Sequence, residues 1–312
     1  MEKNMDLKYV IFALSSEWNG QKKMLTEQLE RDGIVCCDFR DVTEKRHCAV
    51  LITDSRNIAA SNDGEIVCIG CDRENAAFFE GAALVTDDLT SLDSQILEET
   101  LLHSLGRPVT VARTNRLIIR EISEEDFDGL YRISLQPGMQ YAFISEENCF
   151  EPERLAAYIS HVYRFYGYGL WSVLKKDGTL IGCCGLSEYG EEHETDFETD
   201  SETDSAEAEF CLELRYMLAR EHQGSGYGQE MCRAALNYAF ARTDCEKVLI
   251  RVHRDNHASI RLAERLGFRK RACSEEDVRI FSMEAVQITE NRHGIQLSGN
   301  LYYESRQNSI CV

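Results

Sequence analysis

Apolar residues recur along this chain with two different periods, and the period switches from one segment to the next. Residues 9–14, 34–39, 49–53, 66–70 and 83–86 are short runs rich in Val, Ile, Leu, Phe or Cys, bounded by polar stretches, which is how buried strands read. Between the first two, Leu25 and Leu29 stand one helical turn apart in a helix predicted over 21–31. Leu92, Ile96, Leu97, Leu101 and Leu102 form the stripe of a second helix predicted over 91–104. Short apolar strands alternating with helices predict a small, largely parallel α/β layer of Rossmann-like type. Gly106-Arg107-Pro108 ends it.

The rhythm then changes. A strand is predicted over 114–120, and Ser123 with Asp126 has capping-box spacing, with Asp replacing the usual Glu. Phe127, Leu130 and Tyr131 belong to the helix that follows. Pro152 opens another, with Leu155, Tyr158, Ile159 and Val162 on one face. Segments 170–174 and 180–186 form a predicted hairpin about Lys176-Asp177-Gly178. Phe210, Leu212, Leu214, Tyr216 and Leu218 alternate as in a strand, and Met231, Ala234, Ala235, Tyr238 and Ala239 recur at helical spacing. A strand over 248–252, a helix over 259–266 closed by Gly267, and a strand over 278–283 complete the pattern. The expected organisation is therefore a Rossmann-like domain over 5–107, a second α/β domain over 110–288 and a C-terminal tail over 289–312.

A length of 312 residues with 43% hydrophobic content suffices for two cores. No apolar run approaches bilayer length, and Met1-Glu2-Lys3-Asn4-Met5-Asp6 lacks a signal-peptide layout, so a cytoplasmic setting without a membrane partner is expected. The 13 cysteines are odd in number and scattered. Cys183, Cys184, Cys211 and Cys232 read as small buried hydrophobes in a reducing compartment. Cys68 and Cys71, together with Cys36 and Cys37, supply enough thiolates for a four-ligand metal site. The competing and favoured reading puts Cys68 within a strand and Cys71 just past its end, with no metal.

Net charge is -20, which opposes nucleic-acid phosphates. Eleven of the acids lie in 188–209 with no Lys or Arg among them, and Glu-Thr-Asp repeats there every four residues. Such a segment cannot bury enough apolar surface to offset its ordering entropy, so a solvated acidic loop is expected. The alternative is a guide for a basic substrate.

Candidate chemistry concentrates in Gln223-Gly224-Ser225-Gly226-Tyr227-Gly228, between the alternating strand and the amphipathic helix. A glycine-rich turn that opens a helix presents free N–H groups at the positive end of the helix dipole, and without Cβ atoms a phosphate can approach closely. The segment resembles the Gln/Arg-x-x-Gly-x-Gly/Ala motif of the GNAT N-acetyltransferases, through Gln223, Gly226 and Gly228. Asn256-His257-Ala258-Ser259, ending in Leu266-Gly267-Phe268, resembles a second signature of that family. Arg113-Thr114-Asn115-Arg116-Leu117-Ile118-Ile119-Arg120 is similar to the opening strand of its branch that acetylates ribosomal-protein N-termini. The resemblance covers roughly 111–285.

The resemblance implies a GNAT fold, a mixed splayed sheet flanked by helices, with acetyl-CoA as co-substrate and no metal. It implies that N–H groups of Gly224, Ser225, Gly226, Tyr227 and Gly228, with Gln223, hold the diphosphate. It further implies that pantetheine pairs with the exposed backbone of Tyr216, Met217 and Leu218. Asn256 is either a helix cap or a pantetheine ligand. Many relatives protonate the leaving thiolate with a tyrosine at the position of Ala263; the ribosomal-protein branch has a serine, which Ser259 matches. Ser259 is thus a thiolate hydrogen-bond donor or a simple helix-entry serine. Glu213 is a candidate general base, with a structural ion pair to Arg215 on the same strand face as the alternative. Trp171 with Phe165-Tyr166-Gly167-Tyr168 lines the acceptor side or belongs to the core. The implied acceptor is a primary amine, a protein N-terminus or a small molecule; the sequence assigns neither the acceptor nor an oligomeric state.

The N-terminal part weakly resembles the haloacid-dehalogenase hydrolases through Leu51-Ile52-Thr53-Asp54-Ser55. Its first strand lacks the Asp-x-Asp pair of that family. Asp54, Asp87 and Asp88 fall at predicted carboxyl ends of strands, where ligands bind, but Asp54-Ser55 and Asp88 also suit helix caps. A non-catalytic domain is expected. Two rival readings stand beside the acetyltransferase: a non-catalytic acyl-CoA sensor or scaffold, and a bifunctional protein with a phosphohydrolase half.

Overall fold

A computed structural model describes residues 6–39, 46–62, 64, 66–73, 79–139, 152–189, 210–273 and 275–285. The chain divides between Val109 and Thr110 into two compact units.

In the first unit, β1 (Tyr9–Ala13), β2 (Val35–Asp38), β3 (Ala49–Thr53), β4 (Val67–Cys71) and β5 (Leu84–Thr86) form a sheet in the order β2-β1-β3-β4-β5. All four pairings are parallel. This is a doubly wound order whose switch point lies between β1 and β3. Helices α1 (Asn19–Arg31) and α3 (Ser94–Ser104) bury Leu25, Leu29, Leu97 and Leu101 against Val10, Phe12, Val50 and Ile52 on one face. The short α2 (Arg56–Ala60) and Phe79 cover Ile11, Leu51 and Cys68 on the other. Both faces are therefore dry, which is why β3 is apolar at nearly every position.

Two expectations for this unit are corrected. The helix predicted from residue 91 starts at Ser94, because the Asp93 carboxylate accepts from the Gln95 and Ile96 N–H groups and fixes the first turn there. Cys71 is the last residue of β4, not one past it. Cys36 and Cys37 lie on β2, three strand positions from Cys68 and Cys71 on β4. Three inter-strand spacings are about 14 Å, too far for four thiolates to reach one ion. Burial pushes the Cys36 and Cys68 thiols up to about 11, as expected of inert structural cysteines.

Two of the acids at the strand ends, Asp54 and Asp88, accept from backbone. Asp54 accepts from the Ser15 N–H at 3.0 Å, Ser55 caps α2, and Asp88 accepts from the Thr90 N–H at 2.8 Å.

The second unit holds an eight-stranded sheet in the order β12-β13-β11-β10-β9-β8-β7-β6. Its strands are β6 (Thr110–Arg113), β7 (Leu117–Glu121), β8 (Leu170–Lys175), β9 (Leu180–Glu188), β10 (Cys211–Leu218), β11 (Lys247–His253), β12 (Arg269–Lys270) and β13 (Val278–Glu284). Its helices are α4 (Phe127–Ser134), α5 (Pro152–Tyr166), α6 (Tyr227–Arg242) and α7 (His257–Leu266). The strand expected over 114–120 is instead a hairpin. Thr114 and Leu117 close its turn, with Thr114 N donating to the Leu117 carbonyl at 3.0 Å and Leu117 N to Thr114 Oγ1 at 2.9 Å. Nothing in Thr114-Asn115-Arg116 carries the Gly or Pro that normally announces such a turn.

Side chains of Trp171, Val173, Ile181, Leu212 and Leu214 pack with Met231, Ala235 and Ala239 of α6 on one face of the sheet. Met217 and Cys183 pack with Phe127, Leu130 and Leu155 of α4 and α5 on the other. Between β7 and α4, Asp126 is buried and satisfied. It accepts from Arg120 Nη1 (2.6 Å) and Nη2 (2.9 Å), from Ser123 N (2.9 Å) and from Ser172 Oγ (2.7 Å). Burial works against its charge, but those donors outweigh it and hold the carboxyl below its ordinary value.

Apart from Glu188 and Tyr189, the expected acidic loop over 188–209 lies outside the described residues, as does the tail over 289–312. Among the described residues no helix is long and apolar enough to cross a membrane.

Candidate functional site

The site begins where β10 and β11 part. They are parallel neighbours, but pairing runs only from Cys211↔Lys247 to Glu213↔Leu249. Beyond that point each keeps its outer partner. β10 follows β9 as far as Leu218↔Gly182, and β11 follows β13 as far as His253↔Val278. Gly182 hugs β10 so closely that a Cβ there would stand 2.1 Å from the Met217 carbonyl oxygen. From Leu214 to Leu218, therefore, β10 has no strand partner on the side of the gap. Tyr216, Met217 and Leu218 belong to this stretch, but the Met217 carbonyl faces Gly182 on the β9 side and the Leu218 carbonyl already accepts from Gln223.

This stretch leads into the glycine loop. Gln223 joins the two, its side-chain amide donating to the Leu218 carbonyl at 2.9 Å. Gly224 (φ 73°) and Gly226 (φ 83°) are left-handed, a region that residues with a Cβ enter only at a cost. Gly226 is the N-cap of α6 and no side chain caps that helix. Gly224, Ser225 and Gly226 are exposed, and among the described residues no acceptor faces the N–H groups of residues 224–229. Gly228 packs under α7, where a Cβ would meet Leu262 at 3.3 Å. The result is a cradle of uncommitted N–H groups at the positive end of a 16-residue helix.

A clamp from the β6–β7 turn holds this loop. Glu230 in α6 accepts from Thr114 Oγ1 (2.6 Å), Arg116 N (2.9 Å) and Arg116 Nε (2.7 Å). Arg116 Nη1 donates to the Ser225 carbonyl at 2.9 Å, and the guanidinium lies 4.3 Å over the Tyr227 ring. Partial burial opposes the charge on Glu230, but the three donors prevail and its pKa falls below the ordinary value. Sequence reasoning missed this clamp. Its partners are 109 to 116 residues apart, and no local period links them.

Across the gap, Asn256 caps α7, its Oδ1 accepting from the Ser259 N–H at 3.1 Å. Of the two readings of Asn256, the structure displays the cap. Ser259 is half-buried in the first turn of α7, and Ala263, one turn on and on the same face, is buried and has no proton to give. The phenol oxygen of Tyr216 is buried beneath this helix without a well-aligned partner. Burial raises its pKa and the neighbouring Cys232 adds to that, while the Ser259 side chain lowers it.

Glu213 points to the opposite face of the sheet from α6. It is buried and pairs with Arg215 Nε at 3.3 Å, the ion pair that its spacing suggested. The β-ladder therefore sets Glu213 and Ser259 on different sides of the sheet. Trp171 is in the α6-side core, edge-on to Tyr238, not on the face of Glu213. Tyr168 is buried with it, whereas Phe165 and Tyr166 are exposed.

Comparison with known proteins gives the following similarities. The sequence profile of the acetyltransferase (GNAT) domain matches residues 116–269, all within the second unit. The uncharacterized protein YkkB of Bacillus subtilis is 35% identical over 103 residues, 33% of this chain and 51% of that protein. The chain thus spans about half the length of that curated relative. The uncharacterized N-acetyltransferase YoaA of the same organism is 22% identical over 51% of this chain and 83% of its own. Among solved structures, spermidine N-acetyltransferase from Vibrio cholerae in complex with CoA and spermine is 19% identical, with a TM-score of 0.44 over 56% of this chain and 99% of that one.

Proposed function

Residues 116–269 being an acetyltransferase (GNAT) domain, we propose that this protein transfers the acetyl group of acetyl-CoA to a primary amine, either a peptide N-terminus or a small amine. The observation that supports this best is the parting of β10 and β11 after Glu213↔Leu249, directly beside an uncapped helix N-terminus. An extended amide-bearing arm suits the gap side of Leu214 to Leu218, as an added strand does. A diphosphate suits the N–H groups of residues 224–229. One ligand with both parts, joined end to end, is a CoA thioester.

In the reaction the amine nitrogen attacks the thioester carbonyl, the C–N bond forms, and the C–S bond breaks. A backbone N–H on the gap side of β10 stabilises the developing oxyanion. The leaving thiolate takes a hydrogen bond from the Ser259 hydroxyl, the donor that replaces a tyrosine at the position of Ala263. The amine proton leaves through water or through Glu213. Glu213 is engaged by Arg215 and lies on the other side of the sheet from Ser259, which gives weight to the water route.

Incubation with acetyl-CoA and a pool of amines and short peptides, followed by mass spectrometry, tests the proposal. A mass increase of one acetyl group on an amine, dependent on protein, is the expected result. Acetyl-CoA binding with no acetylated product across the pool would instead favour an acyl-CoA sensor.

A further inference from the structure

The Arg116 guanidinium has three nitrogens, and two of them are committed. Nε is held by Glu230 and Nη1 by the Ser225 carbonyl. Nη2 has no acceptor among the described residues, and it stands 3.3 Å from the place a Cβ would occupy on Gly226. The side chain keeps 45% of its surface exposed although it is fixed by two hydrogen bonds and a ring. A guanidinium fixed at two corners has lost most of its rotamer freedom before any ligand arrives, and its third corner faces the loop whose N–H groups are free.

We infer that Arg116 is a diphosphate-binding residue of this site, presenting Nη2 to the anion cradled by residues 224–229 while its other nitrogens hold the loop open. The inference rests on the acyl-CoA reading above. Three features support it. The backbone cradle supplies only partial charges, so a dianionic diphosphate there gains from one full positive charge. Glu230, the partner of Arg116, is locked in its charged form by Thr114 and the Arg116 backbone, so the guanidinium is held even before a ligand binds. The left-handed Gly226 also keeps the path from Nη2 to the loop clear, since any side chain at that position would fill it.

The test compares wild type with Arg116→Gln and Arg116→Lys. Acetyl-CoA affinity is measured by calorimetry, and inorganic pyrophosphate and S-acetylpantetheine are measured as competitors. The wild type must bind acetyl-CoA; if it does not, the proposed function and this inference fall together. With binding established, Arg116→Gln is expected to weaken acetyl-CoA and pyrophosphate in parallel, on the order of tenfold. It should leave S-acetylpantetheine, which has no diphosphate, unchanged. Arg116→Lys keeps the charge but has one nitrogen for three tasks, so an intermediate loss is expected. Unchanged acetyl-CoA affinity in Arg116→Gln overturns the inference alone. An equal loss for all three ligands also overturns it, because it would show that the residue only supports the fold. If Arg116→Gln does not fold, Arg116→Lys decides by the same comparison of the three ligands.

Discussion

The Asn256 side chain and the Ser259 amide are joined by one hydrogen bond of 3.1 Å, so the residue that starts α7 also fixes the residue proposed to meet the thiolate. The bond uses the Ser259 backbone N–H and leaves its hydroxyl for other work. It also explains why Asn256 need not touch a ligand to matter. Losing the cap would fray the first turn of α7 and let Ser259 drift.

Ser259→Ala should therefore lower turnover more than cofactor affinity. A hydroxyl that acts as the thiolate forms contributes on the order of 100-fold or more to the rate. Single-turnover kinetics beside acetyl-CoA calorimetry checks this, and equal rates for the two proteins would exclude a catalytic serine. Asn256→Ala should cost about 1 kcal/mol of stability as well, the usual worth of a cap.

Gly226→Val should abolish acetyl-CoA binding in a protein that still folds. The residue has φ 83°, where a β-branched side chain is strained, and its Cβ would crowd Arg116 Nη2 at 3.3 Å. The affected turn is exposed, so the damage stays local. Calorimetry on a variant with a native circular dichroism spectrum is the measurement; unchanged affinity would remove the loop from the site.

The Asp126 network predicts both a stability loss and its pH dependence. Asp126→Ala leaves the Arg120 charge without its bidentate partner and strips the acceptor from Ser172, and should cost about 3 kcal/mol. The folded pKa of Asp126 lies below its ordinary 3.8, so its stabilising contribution is complete above that value and is lost as pH falls through the folded one. Urea titrations between pH 7 and 3 should show the difference between wild type and variant narrowing only at the acid end. A difference that stays constant down to pH 3 would place the stabilisation elsewhere.

The first unit should be dispensable for cofactor binding. Each unit has its own core on both faces of its sheet, so a chain starting at Thr110 is expected to fold and bind acetyl-CoA with wild-type affinity. The first unit should show no phosphatase turnover, because Asp54 is spent on the Ser15 N–H and β1 ends in Ala13 without an acid pair. A turnover lost in Asp54→Asn would reverse that assignment.

The elements that read most clearly were those whose burial has a simple period. The run 49–53 is β3 to the residue, and Pro152 opens α5. In each of these cases a local pattern and the tertiary environment agree. Boundaries slipped where a side chain rather than a period set them, as with Asp93 at the start of α3. The β6–β7 turn contains neither glycine nor proline, and its closure by the Thr114 hydroxyl and the Leu117 N–H has no periodic signal in the sequence.

By itself the sequence determined the α/β character of both units and the glycine loop between strand and helix, which rest on residues close together in the chain, and it left Glu213 open between a base and an ion pair with Arg215. Only the tertiary structure decided what depends on distance. The parting of β10 from β11 follows from which neighbour each strand keeps, and no residue in either strand encodes it alone. The clamp of Arg116 and Glu230 joins positions 114 residues apart, and the burial of Ala263 follows from how α7 packs. Periodicity is a one-dimensional record of which side faces the core. It contains no record of which distant charge will face which loop, because that is fixed by packing after the elements have formed.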